Sequence, residues 1–130
     1  MACLIDTQVL IWSLASPDKL SDAALRFLQA DTVYVSVVSL FEIAIKQKID
    51  KLPHLSVSIH DIAERMQEDG FTLLPLTAKH IDRYNTVPLL PQHRDPFDRV
   101  LIATALAEQL PFVSADTNIK LYAGLVDVIW

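Results

Sequence analysis

Short apolar, β-branched runs alternate with segments of helical character along the whole chain, and that alternation restricts what it can fold into. Ala2–Ile5, Thr32–Ser36, Phe71–Leu76, Pro111–Ser114 and Val126–Trp130 suit strands in length and content. Between them, Thr7–Leu14 is dense enough in apolar residues for a buried helix, and Pro17 ends it. Ser21 caps a helix running to about Ala30, and Ser39 begins one that runs to about Ile49. Another runs from Ser58 to Asp69, closed by Gly70 at a position that favours a left-handed conformation. A short helix spans about Thr77–Tyr84, and Asn85–Arg94, with Pro88 and Pro91, reads as a loop. Asp95 caps a helix with Pro96 at its first position and Gln109 at its end, and a short helix follows Asp116. Strands alternating with helices predict an α/β fold, a three-layer sandwich with a mostly parallel sheet and helices on both faces.

No repeat, low-complexity stretch or charge block divides the 130 residues, so residues 1–130 read as a single domain. The hydrophobic fraction of 52% and mean hydropathy of +0.31 are high for a soluble chain, which predicts a surface covered by a second copy or by a partner protein. One cysteine, Cys3, excludes an internal disulfide, and its apolar surroundings make it a packed thiol. With no basic N-terminal leader and no apolar run near the ~20 residues of a membrane helix, a cytoplasmic protein is expected. The net charge of −5 argues against a broad basic nucleic-acid face. Carboxylates gathered around divalent cations would reverse that argument locally.

Such a gathering is visible. Asp6 stands where the first strand ends and Asp116 just after the strand ending at Ser114, and ligands of open parallel sheets bind at the carboxyl ends of strands. Asp98 falls in the first turn of the helix opened by Asp95, and Glu42 one turn inside the helix opened by Ser39. Four carboxylates on one rim repel by about 4 kcal/mol per pair ~4 Å apart at an effective dielectric near 20. Cations or shared protons are what make such a cluster tolerable. Hard oxygen donors in this number select Mg²⁺ or Mn²⁺, and water activated by such a cation attacks phosphodiesters in line. Each acid also has a purely structural reading. Asp6 serves as a turn residue, Glu42 as a capping-box partner of Ser39 or an ion-pair partner of Lys46, Asp98 as a capping partner of Asp95, and Asp116 as a helix cap.

Taken together, these stretches resemble the PIN-domain ribonucleases, in particular the VapC-like toxins of toxin–antitoxin pairs, over essentially the whole chain. Leu4-Ile5-Asp6-Thr7 with Val9-Leu10-Ile11-Trp12 is similar to that family's opening strand and first acidic position, and Ser39-Leu40-Phe41-Glu42-Ile43-Ala44-Ile45-Lys46 to its glutamate segment. His93-Arg94-Asp95-Pro96-Phe97-Asp98-Arg99 resembles a subgroup signature carrying the third acid, and Val113-Ser114-Ala115-Asp116 the fourth. The resemblance implies a PIN-like fold and a metal-dependent endoribonuclease with Asp6, Glu42, Asp98 and Asp116 as catalytic metal ligands. It also implies an RNA product with a 5′-phosphate, a small antitoxin partner and a homodimer. Gln8 stands where the subgroup often has histidine, and Asp95 is an additional acid, either supporting the ligands or serving as the cap that Pro96 favours.

Thr7, Ser114 and Thr117 neighbour the acids and suit hydrogen bonds to water around a cation. Lys46, Arg94 and Arg99 are candidates to touch RNA phosphate, against the alternative that each pairs with a nearby acid. His54, His60, His80 and His93 lack metal-ligand spacing and read as solvated or hydrogen-bonded, with His93 kept open because it adjoins the acidic rim. Two other function classes compete. A receiver-like phosphoryl-accepting domain needs a second acid beside Asp6 and an aspartate in Phe71–Leu76, and both are missing. A catalytically silent PIN-like binding module shares every feature except turnover.

Overall fold

In the computed structural model, which describes residues 1–30 and 32–130, five strands form one wholly parallel sheet: β1 (Ala2–Ile5), β2 (Thr32–Ser36), β3 (Phe71–Leu74), β4 (Phe112–Val113) and β5 (Val128–Ile129). The helices are α1 (Thr7–Ala15), α2 (Asp22–Ala30), α3 (Val37–Lys48), α4 (Ile59–Glu68), α5 (Ala78–Tyr84) and α6 (Pro96–Glu108), with 3-10 turns at Pro17–Lys19 and Thr117–Tyr122. The sheet order is β3-β2-β1-β4-β5. From β1 the chain winds outward through β2 to β3, then crosses back to β4 and β5. The strand order therefore reverses between β1 and β4, where doubly wound sheets open a crevice at their carboxyl edge.

Alternation along the strands divides the core. Cys3 and Ile5 of β1, with Val33 and Val35 of β2, face one side and pack with Val9 and Leu10 of α1, Ile43 of α3, and Ile62 and Met66 of α4. Leu4 and Phe112 face the other side and meet Leu101, Ile102 and Ala105 of α6 together with Tyr122. Helices thus cover both faces, as the alternation of elements predicts.

Local chemistry sets several boundaries differently from the sequence reading. Helix α3 starts at Val37, because the hydroxyl of Ser36 accepts the Val38 N–H at 3.1 Å and makes the last strand residue the cap. Ser39 is consequently buried inside the helix, and no Ser39–Glu42 capping box forms. Strand β3 stops at Leu74, before Pro75, which has no N–H to give a ladder. The strands expected at Pro111–Ser114 and Val126–Trp130 shorten to two residues each, although Leu4 N–H still reaches the Pro111 carbonyl and Phe112 N–H the Asp127 carbonyl. After α4, Gly70 takes φ +89°, the left-handed turn expected of it. Asp95 caps α6 by accepting the N–H groups of Phe97 and Asp98 at 2.8 and 3.2 Å. Among the described residues no helix is long and apolar enough to cross a membrane.

Candidate active site

Asp6 leaves β1 at the reversal point of the sheet and caps α1, its Oδ1 accepting the Val9 N–H at 2.8 Å. Its Oδ2 accepts the hydroxyl of Ser114, and the Ser114 oxygen in turn accepts the Asp116 N–H at 3.2 Å. One serine thereby ties the carboxyl ends of β1 and β4 together, with an aspartate from each beside it. Asp116 also caps the 3-10 turn that follows, accepting the Asn118 N–H at 2.9 Å. Capping and cleft lining are compatible, because a carboxylate has lone pairs for both.

From α3, Glu42 reaches toward the same place. Its Oε1 accepts the Thr7 hydroxyl at 2.8 Å, and its Oε2 pairs with Lys46 at 3.3 Å, the i,i+4 partner. Thr7 Oγ1 also lies 3.0 Å from Ser39 Oγ, so the buried Ser39 joins α1 to α3. Asp98 in the first turn of α6 is held by His93, whose Nε2 lies 2.9 Å from Asp98 Oδ2 while its Nδ1 lies 2.9 Å from the Tyr122 hydroxyl. Burial pushes the Tyr122 phenol above its ordinary pKa, so it stays protonated and can donate to Nδ1. The ring then presents Nε2–H to the carboxylate. His93 is the residue whose role the sequence leaves open, and its buried position between Tyr122 and Asp98 supplies that role.

Asp6, Glu42, Asp95, Asp98 and Asp116 line one cleft of about 340 Å³ with Thr7 and Lys46, and Gln8, Trp12 and Ala115 complete its wall. All four sequence-predicted ligands are therefore brought together. Asp95 caps α6, as Pro96 favours, and also lines the cleft. The contributions of Gln8 and Trp12 were missed, although their spacing of four places them on one side of α1, the helix that Asp6 opens. Thr117 and Arg94 are exposed and lie outside the cleft wall.

Arg99 corrects an expectation. It follows Asp98 by about 100° around the helix, which turns it into the protein. It is 5% exposed and donates to the Tyr84 hydroxyl at 2.6 Å and the Val87 carbonyl at 2.7 Å. Its guanidinium stacks 4.7 Å from the Tyr84 ring centroid. Arg99 fastens α6 to the segment around Tyr84 and lies outside the cleft wall.

The electrostatics are those of a site built for positive charge. Burial pushes the Asp6 carboxyl from 3.8 up to about 6, against the opposing hydrogen bonds from Ser114 and Val9, and the charges of Asp98 and Asp116 add to the rise. Burial likewise carries Asp98 to about 6, against the His93 hydrogen bond, with Asp95 and Glu42 adding. Among the described residues Lys46 is the one cationic side chain in the wall, and it is already paired with Glu42. Oxygens of Asp98 and Asp116 and a ring nitrogen of His93 lie within 4.8 Å of one another. Hard oxygens, uncompensated charge and shared proximity fit a Mg²⁺- or Mn²⁺-sized cation.

The model of the PIN domain family matches residues 3–125. The chain belongs to the PIN domain family. Solved structures similar to this PIN domain include VapBC2 from Rickettsia felis bound to a DNA fragment from its promoter, with TM-score 0.73, 14% identity and 100% of each chain covered. FitAcB from Neisseria gonorrhoeae gives 0.66 at 20% identity, covering 98% of this chain and 96% of that one. A toxin–antitoxin complex from Klebsiella pneumoniae gives 0.63 at 20% identity with the same coverage. At these identities the likeness is one of fold. No curated protein matches this PIN domain by sequence.

Proposed function

We propose that this PIN domain is a metal-dependent endoribonuclease, the toxin of a toxin–antitoxin pair, with Asp6, Glu42, Asp98 and Asp116 as its catalytic cation ligands. The observation that carries the reading is the convergence of five carboxylates in one cleft at the sheet's reversal point. Mg²⁺ or Mn²⁺, when bound, supplies charge neutralisation for a phosphodiester and activation of the attacking water.

The chain's own residues do the positioning. Ser114 and the Val9 N–H fix the two oxygens of Asp6, Thr7 and Lys46 fix those of Glu42, and His93 fixes one oxygen of Asp98. Each of these acids is thus restrained before any ligand arrives, so little ordering is left to oppose binding. Lys46 lies where an incoming phosphate oxygen can compete for it with Glu42.

A cognate antitoxin protein and a homodimer are the proposed partners. Toxin–antitoxin complexes among the similar folds support the first. Exposed Phe41 and Ile49 on and just after α3, beside an apolar hollow of about 350 Å³, support the second. The test of catalysis is incubation of the purified chain with single-stranded RNA and Mg²⁺ or Mn²⁺. Cleavage that EDTA abolishes supports the reading, and products bearing a 5′-phosphate match the expected polarity. Absence of cleavage with antitoxin removed leaves a silent binding module.

A further inference from the structure

Gln8 and Trp12, one turn apart on α1, line the acidic cleft and also line a second groove of about 230 Å³. Its other side is formed by Lys19 from the first 3-10 turn and by Lys51 and His54 from the segment after α3, over a base that includes Ile11 and Leu55. Among the described residues no carboxylate lines it. Asp18 and Asp50, although next in sequence to the two lysines, are not in its wall. Among the described residues neither Lys19 nor Lys51 has a side-chain ion pair, whereas Lys46 and Lys79 are paired with Glu42 and Glu108. The molecule thus places an acidic cleft and a groove bearing these two lysines on either side of one half-buried tryptophan, in a chain of net charge −5.

The geometry points to this groove as the subsite for the RNA nucleotide flanking the one that is cut. Lys19, Lys51 and His54 hold its phosphate, and the indole of Trp12 gives the intervening base a surface to stack on. The inference rests on the ribonuclease reading of the acidic cleft. A strand whose phosphate occupies the cleft continues across Gln8 and Trp12 if it leaves on that side, and it then meets cations. Backbone-tracking positive grooves with interleaved aromatics are the general solution for single strands, each stacked base being worth ~1–3 kcal/mol. The groove is also smaller than the ~300–1,000 Å³ of small-molecule sites, which favours a passing chain over an enclosed ligand.

The test compares Lys19→Ala/Lys51→Ala with a charge-matched control, Arg26→Ala/Lys79→Ala, whose residues are exposed and outside both grooves. Binding of a fluorescein-labelled single-stranded RNA is followed by anisotropy in Ca²⁺ buffer, and cleavage is followed separately in Mn²⁺. Lys19 and Lys51 are exposed, so folding should survive. The expected result is a loss of affinity on the order of tenfold, with the salt dependence of log K shallower by about 0.7, the share of the one phosphate no longer neutralised. KM should rise with kcat within about twofold, since the bond-breaking groups are untouched. The control should behave as wild type. If the wild type cleaves RNA and the lysine variant matches it in affinity and salt slope, the subsite is overturned while the ribonuclease reading stands. If the wild type neither binds nor cleaves RNA, both fall. If the lysine variant loses only its affinity for a poly-glutamate peptide, the groove is a protein-docking site and the inference is wrong.

Discussion

Changing Asp6 to asparagine removes a buried carboxylate while keeping its shape, and the consequence for stability can be worked from the site. The folded-state pKa of Asp6 is about 6 against an ordinary 3.8, so folding favours the protonated form. The stability this group contributes is complete below pH ~3.8 and is lost as pH rises through 6, by roughly 3 kcal/mol in all at 1.36 kcal/mol per pH unit. About half of that loss falls between pH 5 and pH 8, and the asparagine protein cannot show it. Urea unfolding in EDTA at the two pH values should therefore find the wild type losing roughly 1–2 kcal/mol more than Asp6→Asn. Adding Mg²⁺ at pH 8 should stabilise the wild type more than the variant, because a cation at a hundred times its Kd contributes ~2.7 kcal/mol and the variant has lost a ligand. Equal pH dependence in the two proteins would show that Asp6 is not held against its charge, and would refute the reasoning.

Asp95→Ala should cost about 1 kcal/mol in urea unfolding through loss of the α6 cap, and Asp95→Ser should recover most of it. Tyr122→Phe leaves the buried His93 Nδ1 without its partner and should cost ~1–3 kcal/mol, together with a fall in turnover as Asp98 loses its restraint. Sedimentation should find a dimer at micromolar concentration, and Phe41→Glu with Ile49→Glu should return it to monomer; a wild-type monomer would remove the dimer proposal while leaving the antitoxin one.

The elements and the acidic cluster were legible because both rest on local rules. Strand-end aspartates, Pro96 after a capping Asp95, and Gly70 after a helix each announce themselves within a few residues. Where sequence reasoning slipped, the deciding neighbour was distant or the local choices were degenerate. Ser36 and Ser39 are equally good caps on paper, and the burial of Ser39 against Thr7, 32 residues away, decides between them. Arg99 next to Asp98 looked like a surface cation, yet its neighbours in the fold are Tyr84 and Val87. The roles of His93 and Trp12 depend on which elements stand opposite them, information that periodicity does not carry.

The central claim is that clustered carboxylates hold a cation that cuts RNA. Its most direct test is the single-turnover cleavage rate of single-stranded RNA measured against Mn²⁺ concentration, with Mn²⁺ binding followed on the same samples, for wild type, Asp6→Asn and Asp116→Asn. The account predicts no cleavage without metal and a wild-type rate that saturates with Mn²⁺ occupancy. The two variants should bind Mn²⁺ more weakly and turn over slower by several orders of magnitude. Cleavage that survives EDTA, or rates unchanged in both variants after contaminating nuclease is excluded, would contradict it.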